Sequence, residues 1–79
     1  MTIKEKRAKE KMYADAIVWI CSTPQQKITR ADLFEWIDRT GHNQAFKGKY
    51  CGGANKVKEA LLNRADSQQS TLILKKLLF

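Results

Sequence analysis

Apolar residues recur at helical spacing along most of this chain, and the interruptions between the runs are as informative as the runs. In the stretch from Thr2 to Cys21, Tyr13, Ala16, Ile17 and Ile20 fall on one face, the spacing of a helix that packs on a core. Its opening, from Lys4 to Lys11, is charged on every side, so residues 1–11 read as a helix start that frays into solvent. Ser22-Thr23-Pro24 ends this element, because a residue before proline avoids the helical region. Thr29-Arg30-Ala31-Asp32 has the form of a capping box with Asp in the usual Glu position, and it opens a second helix. Leu33, Phe34 and Ile37 form the apolar stripe of that helix, and Gly41 supplies a C-terminal stop. A further helix is expected from Asn55 to Ala65, with Val57, Leu61 and Ala65 inward and Lys56, Glu59 and Asn63 outward.

Two segments read in two ways. Residues 42–53 form either a short helix, capped by Asn43 and running from Gln44 to Cys51, or a loop. Phe46 and Tyr50 at i,i+4 favour the helix, and Gly48 opposes it by about 1 kcal/mol. In the tail, residues 70–79, Thr71 to Leu74 has strand propensity, yet Ile73 pairs with Leu77 and Leu74 with Leu78 at helical spacing. Its apolar content requires it to dock, on the core or on a second copy of the chain. The fold class is therefore mainly α: a small three- to four-helix domain, helix-turn-helix or winged-helix-like, with a short C-terminal β-strand as the open variant.

The order of elements is what resembles the opening of a helix-turn-helix or winged-helix domain. A core helix ends in Ile17-Val18-Trp19-Ile20, a connector carries Lys27-Ile28 as a candidate edge strand, and a capped helix turns at Gly41 into a candidate second helix. The resemblance covers residues 12–66 and implies that the second helix enters the major groove while the first crosses the backbone. The chain departs from it at Ile37, where such motifs want a small residue, and in lacking a Gly-tipped hairpin after Ala65.

Length limits what can be built. Seventy-nine residues make a single domain that buries only roughly 60% of its unfolded surface. The net charge of +7 suits nucleic acid, an anionic membrane or an acidic protein. No apolar run approaches the roughly 20 residues of a membrane span, and the interleaved Glu5 and Glu10 weaken the basic N-terminus as a membrane-surface helix. With Cys21 and Cys51 as the only cysteines, a reducing cytoplasm is the expected setting, one internal disulfide being the alternative.

Charge distribution names the candidate surface. Between Asp38 and Glu59 there is no acidic residue, and all four glycines fall there among Arg39, Lys47, Lys49, Lys56 and Lys58. Lysines supply charge to a phosphate surface and glycines let backbone N–H groups approach it. Gln44, Lys47 and Lys49 are the candidate groove readers, since Gln can bond adenine and Lys can reach guanine, and Asn43, the cap of that helix, joins them in the candidate nucleic-acid-binding set. Lys56 and Lys58, at the start of the next helix, are the candidate phosphate holders. The expected function is non-catalytic binding of nucleic acid through residues 43–58, with double-stranded DNA favoured over RNA and a homodimer through the tail as a further expectation. The alternative is a module that modulates a larger protein, with Trp36, the acidic helix face of Asp32, Glu35 and Asp38, and the tail residues Leu77 and Phe79 as anchors.

Catalysis and cofactors find no support. Gly48-Lys49 is followed by Tyr50 rather than Ser or Thr and follows no buried strand, so it is not a P-loop. Cys21, Cys51 and His42 lack the paired spacing of a zinc site, and no third group orients a Cys–His nucleophile. No enzyme, metal or cofactor is expected.

Overall fold

The computed structural model describes residues 3–41 and 52–79, and within them the chain is mainly helical. Four helices follow one another: α1 (Ile3–Ser22), α2 (Arg30–Thr40), α3 (Ala54–Arg64) and α4 (Ser67–Lys76). The expectations for residues 42–51, the helix-or-loop choice and the placement of His42, Asn43, Gln44, Phe46, Lys47, Lys49, Tyr50 and Cys51, lie outside the described residues.

One core joins all four helices. Met12, Ile17 and Ile20 of α1, Leu33 and Ile37 of α2, Val57 and Leu61 of α3 and Ile73 of α4 are buried together. The α1 face is the one its spacing predicts, and α1 packs against both α3 and α4. Arg64 bolts α3 to α1 from outside: Nε and Nη2 donate to the two oxygens of Glu10 at 2.7 and 2.5 Å, and the guanidinium lies 4.5 Å from the centroid of the Tyr13 ring.

The α2 boundaries match the sequence signals. Thr29 Oγ1 accepts from the Asp32 N–H at 3.1 Å, and Asp32 Oδ2 accepts from the Thr29 N–H at 3.0 Å. Gly41 ends the helix with φ +73°, a left-handed conformation that a side chain would strain.

The tail resolves to helix over the residues with strand propensity. Asp66 caps α4 through a second full capping box, accepting from the Gln69 N–H at 2.8 Å while Gln69 Oε1 accepts from the Asp66 N–H at 3.0 Å. Those bonds start a helical turn just before Thr71, and the buried Ile73 then fits the helical spacing. Extended backbone begins only at Leu77, which makes a single parallel bridge with Ile28. The Ile28 N–H donates to the Lys76 carbonyl at 2.8 Å, and the Leu78 N–H donates to the Ile28 carbonyl at 2.9 Å. The expected edge strand at Lys27-Ile28 is thus one bridge, and no strand occurs among the described residues.

Proline 24 leaves a mark at the other end of α1. The carbonyl of Ile20 would be bonded by the N–H four residues on, and Pro24 has none. Lys76 fills the vacancy: its ammonium, on a side chain only 6% exposed, donates at 2.9 Å to the carbonyls of both Ile20 and Thr23. A cation at a helix C-terminus also meets the negative end of its dipole. Among the described residues no helix is long and apolar enough to cross a membrane.

Candidate nucleic-acid interface

Helix α3 starts differently from α2 and α4. Its N-cap is Gly53, which offers no side-chain acceptor, and no acidic residue occupies its first turn. The first N–H groups of a helix have no partner within it, so they point outward as a patch of positive potential. Gly52 and Gly53 approach with φ +95° and +109°, a backbone path that side chains resist. Lys56 stands in the first turn, exposed, with its Cγ 3.3 Å from where a Gly52 side chain would begin.

The fold sets this helix start against the start of α2. Among the described residues, Arg30, Phe34, Gly52, Gly53, Ala54 and Asn55 line an open cleft of about 320 Å³, and none of them carries a carboxylate. Arg30 and Asn55 are exposed, and Phe34 is half-buried against the core. Arg30 is the residue that sequence reasoning left out. It lies well outside the glycine-lysine segment, and the only signal was its place at the first position of a capped helix, whose direction a sequence does not reveal.

The two lysines expected to hold phosphate separate. Lys56 is exposed, one residue after Asn55 and beside Gly52, both of which line the cleft. Lys58 is half-buried and turned towards the tail, where its Nζ donates to the Phe79 carbonyl and lies 5.9 Å from the centroid of that ring. Asn43, Gln44, Lys47 and Lys49 are outside the described residues.

The residues named as anchors of the protein-binding alternative are largely covered. Trp36 is only 6% exposed, because residue 36 stands three after Leu33 and so shares its inward face. Its ring stacks on Trp19 with centroids 5.2 Å apart and planes 13° from parallel. Leu77 is 4% exposed, seated in the core beside Ile28, and Phe79 is half-buried against the same core. These side chains are used within the molecule. The apolar surface left on the tail is Leu74 and Leu78, more than half exposed at 56% and 55%.

The acidic residues of α2 serve local structure in part. Hydrogen bonding holds the Asp32 carboxyl below its ordinary range, from the backbone N–H of Thr29 first, then from the Thr29 side chain and Gln25. Cys21 is a free, half-buried thiol whose pKa is pushed up by burial, the opposite of an activated nucleophile. No protein-family model, curated protein or solved structure matches this chain, so its functional reading rests on geometry and chemistry.

Proposed function

We propose that this protein is a non-catalytic nucleic-acid-binding protein that grips the phosphate backbone of double-stranded DNA at the cleft between the starts of α2 and α3. One observation carries the reading: an arginine and the uncapped amides of a helix start line the same open cleft, with no carboxylate among them. A first turn with a lysine and no acid or capping side chain is a poor local choice for helix stability. It becomes a good one when an anion supplies the missing negative charge. Arg30 and Lys56 are the side chains proposed to neutralise phosphates, and residues 43–51 between α2 and α3 would face the bases in a helix-turn-helix arrangement.

The test is fluorescence anisotropy of a labelled DNA duplex and a single-stranded RNA, titrated with the full chain between 50 and 200 mM salt. Each phosphate neutralised contributes about 0.9 to the slope of log K against log salt on duplex DNA. Arg30→Ala with Lys56→Ala should therefore flatten the slope by about 1.8 in a protein that still melts cooperatively. An unchanged slope would remove the cleft from the interface. Absence of binding to both probes at 50 mM salt would end the nucleic-acid reading, and RNA binding without duplex binding would move the proposal to unpaired strands.

A further inference from the structure

The tail does more than close the core. Leu77 is the last residue it buries there; beyond it the Leu78 N–H bonds to the Ile28 carbonyl and the Leu78 side chain stays in solvent. This course brings Phe79 to α3, where its carbonyl accepts from Lys58 and its half-buried ring lies under the ammonium. Lys58 stands three residues after Asn55, so the two share a side of α3, and Asn55 lines the cleft. Lys58 is thus placed one turn from the proposed phosphate site, with its charge turned away onto the tail.

We propose that Leu78 and Phe79 form an autoinhibitory strap, which holds Lys58 off the phosphate surface and which a bound backbone displaces. The proposal rests on the nucleic-acid reading above. The strap is built to open: past Leu77 its backbone is held by one hydrogen bond to Ile28 and one from Lys58, and releasing it moves no fully buried side chain. Strap and phosphate compete for the same ammonium, so by linkage a bound duplex loosens the strap by the factor that the strap weakens binding.

Two substitutions open the strap by different routes. Leu78→Pro deletes the N–H that bonds Ile28, and Leu77 already has φ −75° and ψ 129°, the extended backbone that a residue before proline adopts. Phe79→Ala removes the ring under Lys58 and leaves the Ile28 bond in place. With the labelled duplex as probe, Leu78→Pro should bind about three- to tenfold tighter than the parent, with a slope against salt steeper by about 0.9. Phe79→Ala should show a smaller gain in the same direction, and Lys58→Ala should cancel both. Amide exchange at Leu78 in the parent should quicken when duplex is added. A parent that binds with normal salt dependence, while both variants match it in affinity and slope, overturns the strap and leaves the cleft standing. If parent and variants alike fail to bind, the nucleic-acid reading falls and the strap falls with it. Should Leu78→Pro fail to melt cooperatively, Phe79→Ala and the Leu78 exchange rate decide the matter.

Discussion

Lys76 offers the sharpest test of how this small core is held. Its ammonium is buried without a carboxylate among its hydrogen-bond partners, which are the carbonyls of Ile20 and Thr23 at 2.9 Å. Substituting Lys76→Met keeps most of the aliphatic stem and deletes the charge. Two hydrogen bonds from a charged donor are lost, each about 1.5–3 kcal/mol, and the Ile20 carbonyl is left without a donor because Pro24 follows at the i+4 position. Against this, the variant no longer has to strip water from an ammonium, a cost of several kcal/mol that offsets much of the loss. The orphaned carbonyl decides the sign, since an unsatisfied buried acceptor costs about 1–3 kcal/mol.

The expected net destabilisation is about 2 kcal/mol. In a domain of this size that lowers Tm by roughly 8–16 °C. Urea unfolding followed by tryptophan fluorescence should show the midpoint falling with the m-value unchanged. A Lys76→Met protein as stable as the parent, or more so, would refute the reasoning. It would mean that dehydrating the ammonium costs as much as the capping returns, and that α1 ends where it does for another reason.

Further outcomes follow from the caps and the ion pair. Thr29→Ala removes the side-chain acceptor of the α2 capping box and should cost about 1 kcal/mol, read as a lower urea midpoint; an unchanged midpoint would show that solvent replaces the cap. Hydrogen bonding to Arg64 lowers the pKa of Glu10, so the pair stabilises the fold above the ordinary glutamate range, and that increment disappears as pH falls through the folded carboxyl's own titration. Both partners are more than a third exposed, so after screening the increment is about 0.5 kcal/mol at most, measurable as the difference between parent and Glu10→Gln at neutral pH that closes in acid. A difference that persists once the carboxyl is protonated in the folded protein would assign the Glu10 contribution to packing.

Much of the helical frame was legible in the sequence because its signals are local. Thr29, Asp32 and Gly41 mark α2 through bonds that span only a few residues, and Tyr13, Ala16, Ile17 and Ile20 mark the α1 face by spacing alone. The tail was harder, because strand propensity at Thr71 to Leu74 competed with an Asp66–Gln69 capping box that lies outside the apolar run. Once those two residues are read together, two N–H groups at the α4 start have side-chain acceptors and the helix follows. Trp36 was legible as a core residue as well as an exposed anchor, and its i+3 position from Leu33 places it on the inward face. The cleft depends on contacts between distant segments. Nothing in the spacing of Arg30 and Gly53 announces that the starts of α2 and α3 open onto one another.

The cations show why net charge locates so little. A surplus of seven positive charges reads as one diffuse signal, yet the fold assigns these side chains unlike tasks. Lys76 closes the end of α1, Arg64 is held by Glu10 across α1 and α3, and Lys58 is turned onto the tail. Each is engaged by an internal acceptor, and a phosphate would have to displace that acceptor to use it. Arg30 and Lys56 stand at an exposed edge where the local structure offers amide donors and no carboxylate. Affinity for a polyanion should therefore follow these two residues more closely than the total charge. Charge-neutralising changes at Lys76 or Arg64 should act on stability and leave the salt slope of the folded protein unchanged. That separation, stability on one set of cations and salt slope on the other, is what distinguishes a built phosphate surface from a protein that is merely basic.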